Sequence, residues 1–107
     1  MDKAKVLKQC LMPLVLLISL SSCQTVSLPL EEYTLARAAL EAARNVQASR
    51  HSSGFWSQAD QAYRRGQEYY RDHNWSQAKE EFLKARFAAE KAENSARLIR
   101  QKTGEVL

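Results

Sequence analysis

Residues 75–99, Trp75-Ser-Gln-Ala78-Lys-Glu-Glu-Phe82-Leu-Lys-Ala85-Arg-Phe-Ala-Ala89-Glu-Lys-Ala92-Glu-Asn-Ser-Ala96-Arg-Leu-Ile99, decide the fold. Trp75, Ala78, Phe82, Ala85, Ala89, Ala92, Ala96 and Ile99 recur at alternating steps of three and four. That spacing places them along one seam of a helix, of the kind seen in coiled coils and bundles. Six of the eight seam residues are Ala or Ile-sized aliphatics, so a neighbouring helix approaches closely and each residue buries little area. Asn74 followed by Gln77 predicts a capping box at the start, and Thr103-Gly104 a stop, with Arg100 and Lys102 near the negative end of the helix dipole. Glu80 to Lys84 and Glu93 to Arg97 are oppositely charged pairs one turn apart. The spacing predicts a helix over 75–102.

Working backward, Asp72-His73 reads as a turn, preceded by a helix over about 55–71 with Ser53 as its cap. Trp56, Ala59, Tyr63, Gly66 and Tyr70 share one face of it, beside Ala62 and Tyr69, and Asp60 to Arg64 and Arg64 to Glu68 are ion pairs on the other. His51-Ser52-Ser53-Gly54 breaks the pattern. Before it a helix is predicted over about 30–50, opened by Pro29 and by Glu31 and Glu32 at the positive dipole end. Its two stripes are Tyr33, Ala36, Leu40, Ala43 and Leu35, Ala39, Ala42, Val46. No stretch alternates with period two. The expected fold is all-α: a three-helix antiparallel bundle over 30–104, with a short tail at 105–107.

The start of the chain reads as an address. Lys3, Lys5 and Lys8 against Asp2 give a positive lead, and residues 10–20 are apolar but for Ser19. That run is too short to cross a bilayer as a helix, which takes about 20 residues, and suits a signal peptide. Leu20-Ser21-Ser22-Cys23 then resembles the lipobox of bacterial lipoproteins. The resemblance implies that residues 1–22 are removed by a peptidase that recognises Leu20, Ser21 and Ser22. It also implies that Cys23 carries a covalent diacylglycerol and that the new α-amine is acylated. Several acyl chains anchor a protein stably, at about 0.8 kcal/mol per buried methylene. Gln24 rather than Asp after the cysteine resembles the outer-membrane sorting signal of enteric bacteria. Residues 23–29 are then a lipidated N-terminus and tether, and the expected location is the outer membrane, facing the periplasm. Cys10 lies in the discarded segment, so no disulfide is available.

Composition follows this division. The full chain has 107 residues and a formal charge of +4; without residues 1–22 it keeps 85 residues and loses three Lys and one Asp, leaving +2. The basic balance owes much to the leader. Export and near-neutrality set a nucleic-acid partner aside, despite Arg64-Arg65 and the basic stretch Arg97 to Lys102.

The span from Ala59 to Ala92 is 34 residues, and its pattern resembles a single tetratricopeptide repeat. Gly66, Tyr69, Trp75, Ala78, Phe82 and Ala85 fall on the helix-packing positions of that motif, while Ala62, Arg65 and Glu90 depart from it. The resemblance implies a helical hairpin in which Gly66 and Ala78 let two helices touch and Tyr69 and Phe82 fill the gap. The whole mature chain is similar to small alanine-rich helical lipoproteins with no known activity.

His51 and His73 are the only histidines and fall in expected turns, without metal-ligand spacing. There is no glycine-rich phosphate loop or Gly-x-Ser-x-Gly elbow, and Glu80, Glu81, Glu90 and Glu93 are interleaved with Lys79, Lys84, Lys91 and Arg97, as on a solvated helix face. The expectation is a non-enzymatic envelope scaffold with no cofactor beyond the lipid on Cys23. Its partners would be membrane lipid through the anchor and another envelope protein. Trp56, Tyr63 and Phe87 form a candidate partner surface if exposed together. Two alternatives stand beside it. One is a self-assembling structural lipoprotein using the 75–99 seam; the other is a cell-wall or lipid contact through the basic C-terminal helix. The oligomeric state stays open.

Overall fold

A computed structural model describes residues 27–104 together with 3, 5 and 6, the latter three in helical conformation. The leader, the lipobox residues Leu20, Ser21, Ser22 and Cys23, and the tail 105–107 lie outside the described residues. The chain is all-α. Helix α1 spans Leu30–Asn45, a one-turn helix α2 spans Ala48–His51, α3 spans Ser53–Arg71 and α4 spans Trp75–Lys102. Among the described residues no helix is long and apolar enough to cross a membrane.

The seam read from the sequence is the centre of the fold. Ala78, Phe82, Ala85, Ala89, Ala92 and Ala96 are buried, with Trp75 and Ile99 half-buried at the ends. Helix α4 packs along both α1 and α3, whereas α1 and α3 meet each other sparsely. Side-chain pairs give the directions. Arg65 reaches Glu81 at 3.1 Å, and Gly66 lies against Phe82, while Ala59 belongs with Ala89 to Ala96, so α3 and α4 are antiparallel. Glu32 meets Lys79 at 3.3 Å, and Leu40 and Ala43 pack with Ala89 and Ala92, so α1 runs parallel to α4.

At Gly66, α3 and α4 approach closely. A Cβ at this position would lie 2.7 Å from two ring carbons of Phe82, the bulkiest fully buried side chain of the core. Ala78 and Ala85 are likewise fully buried, and Tyr69 packs half-buried against the same cluster. Trp75 takes a different place: it closes the end of the hairpin, edge-on to Tyr70 at 5.1 Å and to His73 at 5.0 Å.

The three long helices all stop in the same way. The residue after each C-cap has positive φ: Gln47 at 60°, His73 at 61° and Gly104 at 76°. The N–H of each donates back into the last turn, to the carbonyls of Arg44 (2.9 Å), Tyr70 (3.2 Å) and Gln101 (3.3 Å). After α3 the N–H of Asn74 also donates to the Tyr69 carbonyl at 2.9 Å, completing a Schellman motif. Such left-handed positions usually take glycine; here only the last does.

Four expectations are corrected. The first helix does not continue to Arg50 but stops at Asn45, because Gln47 adopts the left-handed conformation and α2 restarts one residue later. The capping box at Asn74 and Gln77 does not form; Asn74 makes no side-chain cap bond, its backbone being set by the turn that ends α3. The N-cap of α3 is Ser52 rather than Ser53, and it too lacks a side-chain cap bond. His51 is not in an open turn: it closes α2 and is half-buried.

Candidate interaction cleft

Because α1 and α3 both lie on α4 but barely on each other, a groove runs between them. At the end where α1 begins it opens into a cavity of about 440 Å³ lined by Leu30 and Tyr33 from α1, Gln67, Tyr70 and Arg71 from α3, and Phe82 from α4. Tyr33 is the pivot. Its ring stacks at 6.1 Å on Tyr63 and at 6.3 Å on Tyr70, and meets Phe82 edge-on at 5.3 Å. Such ring pairs each contribute about 0.5–1.5 kcal/mol beyond the area they bury.

Beyond the Tyr33–Tyr63 pair the groove continues as a polar hollow of about 330 Å³ lined by Arg37, Leu40, Glu41, Arg44, Asp60 and Tyr63. The groove is therefore apolar and aromatic at the end where α1 begins and of mixed charge farther along. Tyr63 divides the two. Burial, then the neighbouring Tyr33 hydroxyl, pushes its phenol from 10.0 up to about 12, so it remains a neutral hydrogen-bonding group.

Trp56, Tyr63 and Phe87 are not exposed together on one face. Trp56 and Tyr63 turn inward and pack against the core, Trp56 beneath the Arg44 guanidinium at 5.8 Å. Phe87 is 55% exposed. It lies two residues from seam positions Ala85 and Ala89, hence on the opposite face of α4. The helix-packing residues Gly66, Tyr69, Ala78, Phe82 and Ala85 do come together. In the sequence Tyr33 reads only as part of an α1 stripe, and Gln67 and Arg71 carry no motif of their own. Their only sequence signal is an aromatic on α1 at the same end as Tyr69-Tyr70 on α3.

Charged contacts frame the helices. Glu81, with its side chain only 12% exposed, accepts from Arg65 at 3.1 Å and from Lys84 at 3.2 Å. The predicted pairs Asp60–Arg64 and Glu93–Arg97 form at 3.0 and 2.7 Å. Lys84 turns to Glu81, three residues before it, where the sequence pointed to Glu80. Among the described residues no three His, Cys, Asp or Glu side chains gather at metal-binding distance.

No protein-family model, curated protein or solved structure matches this chain. The cleft is thus defined by its own geometry.

Proposed function

We propose that the chain is a lipid-anchored, non-catalytic interaction module of the bacterial outer membrane, facing the periplasm, whose α1–α3 cleft receives a segment of another envelope protein. The Leu20-Ser21-Ser22-Cys23 run supports the anchor, through diacylglycerol on Cys23. The observation that carries the binding reading is the aromatic cavity around Tyr33, a concave, mostly apolar hollow with the polar Gln67 and Arg71 among its lining residues. Concave apolar hollows with a few placed polar groups are the usual form of a binding site. A partner segment would place apolar side chains beside Tyr33 and Tyr70 and its charges beside Arg37, Glu41, Arg44 and Asp60. The α3–α4 hairpin packs through Gly66 and Phe82, in keeping with the resemblance to a tetratricopeptide unit.

The self-assembly reading through the 75–99 seam loses its main support, since those side chains are already covered by α1 and α3. The basic C-terminal helix is also less available for wall or lipid contact, with Arg97 paired to Glu93.

The test is site-directed photo-crosslinking in intact cells. A photoreactive residue at Gln67 is expected to capture one discrete envelope protein, and the same residue at Gln58, outside the cleft, to capture none. Equal capture at both positions, or none at either, contradicts the cleft as the binding site.

A further inference from the structure

Only six peptide units separate Cys23 from Pro29, the buried N-cap of α1. An extended chain covers at most about 3.6 Å per residue, so α1 begins within roughly 20 Å of the thiol. The anchor therefore dictates which end of the bundle lies near the lipid. Tyr33 against Tyr70, Tyr70 against Trp75 and Glu32 against Lys79 bring the start of α1, the end of α3 and the start of α4 to that same end.

Its surface has a distinct chemistry. Leu28 is 51% exposed and Leu30 57%, beside half-buried Trp75, Tyr69 and Tyr70. The ionisable groups here do not sum to a positive patch: Arg71 is offset by Asp72, Glu31 is exposed and Glu32 is paired with Lys79. Aliphatic side chains with Trp and Tyr, lacking excess Lys or Arg, suit the headgroup level of a bilayer rather than an electrostatic contact. The basic residues Arg100 and Lys102 lie at the other end of α4, about 40 Å away for a helix of 28 residues.

We propose that the tethered end is a membrane-docking face: Leu28, Leu30 and Trp75 enter the interface of the leaflet that holds the lipid anchor, and α4 stands away from it. This rests on the reading of Cys23 as lipidated. The face orients the bundle on its membrane and holds the aromatic cleft close to the bilayer, so partner segments that are themselves membrane-proximal meet it first.

The two tryptophans, Trp75 at the tethered end and Trp56 at the far end of α3, are built-in reporters. Full-length lipidated protein is reconstituted into phosphatidylcholine vesicles brominated near the glycerol end of the acyl chains. In Trp56→Phe, where Trp75 alone emits, bromine is expected to cut emission at least about twofold, unaffected by added salt. In Trp75→Phe, the remaining Trp56 is expected to lose less than about a tenth. The unsubstituted chain, whose folding no substitution puts at risk, is expected to lose an intermediate fraction. Leu28→Asn with Leu30→Asn removes the quenching while the protein still floats with the vesicles. Equal quenching of the two tryptophans, or none, in a chain that floats overturns the docking face and leaves the anchor standing. A Trp75 shielded only as protein concentration rises also overturns it, in favour of a second copy. A chain that does not float overturns the anchor reading beneath the proposal.

Discussion

The two ends of the bundle are built from different materials. At the end where α1 begins, Tyr33, Tyr63, Tyr69, Tyr70 and Phe82 surround Ala36, Ala62, Ala78 and Ala85. At the far end Ala43, Ala48, Ala59, Ala89, Ala92 and Ala96 pack with only Leu40 and Val46 as larger buried partners, and Trp56 at the edge. One end carries rings between its helices and opens into the aromatic cavity; the other packs almost entirely through alanine. Aromatic bulk and the aromatic cavity thus lie together at the end where α1 begins. The difference teaches how a small chain with one thin seam obtains both a core and a hollow: it varies the size of side chains along a single helix face.

The comparison breaks most readily at Phe82. Phe82→Ala removes the ring shared by α1, α3 and α4 and is expected to cost about 3–5 kcal/mol, measured by urea unfolding, with the Tyr33–Tyr63 pair lost as well. The alanine end should answer oppositely to size. Ala92→Leu has no space to enter, since Ala92 is fully buried, and overpacking of this kind costs about 1–3 kcal/mol. An Ala92→Leu chain as stable as the parent would show that the far end is loosely packed. Gly66→Ala gains about 1 kcal/mol of helix propensity, yet its Cβ meets the Phe82 ring, so a net loss of about 1 kcal/mol is expected.

Smaller effects sharpen the picture. Gln47→Gly relieves a left-handed non-glycine residue and is expected to stabilise by about 0.5–1 kcal/mol. His73→Gly should gain less, because it also gives up the edge contact with Trp75. The effect least visible near neutrality is that of Tyr63. Its phenol titrates at about 12 when folded against 10.0 when free. The folded state therefore holds the proton more tightly, and its contribution is present below pH 10 and lost as pH rises toward 12. Tyr63→Phe is expected to flatten the stability profile between pH 10 and 12 and to cost about 1 kcal/mol or less near neutrality, the value of the lost hydroxyl hydrogen bond.

Much of this was legible. The seam from Trp75 to Ile99 could be read because helix periodicity repeats in one dimension, and the bounds 75–102 and the turn at Asp72-His73 follow from it. The close approach at Gly66 could be read from its place in the 34-residue span. The stop at Asn45 could not. Gln47 takes a left-handed conformation that glycine would have announced, while buried Val46 and Ala48 on either side preserve the look of an uninterrupted helix. The cleft was equally hidden. Tyr33, Gln67 and Arg71 become neighbours only when α1 lies parallel to α4, and that alignment depends on pairs such as Glu32–Lys79, 47 positions apart. Trp56 reads as surplus on a thin alanine seam until the neighbouring helix is in place and Arg44 lies over its ring.

Every placement, of the cleft near the bilayer and of the aromatic end toward lipid, depends on how the chain is held at residue 23. Intact-mass and N-terminal peptide mass spectrometry of the protein isolated from its own membranes tests this directly. The account predicts a chain beginning at Cys23, with diacylglycerol on its sulfur and an acylated amine. An N-terminus still carrying residues 1–22, or an unmodified thiol at Cys23, would contradict it.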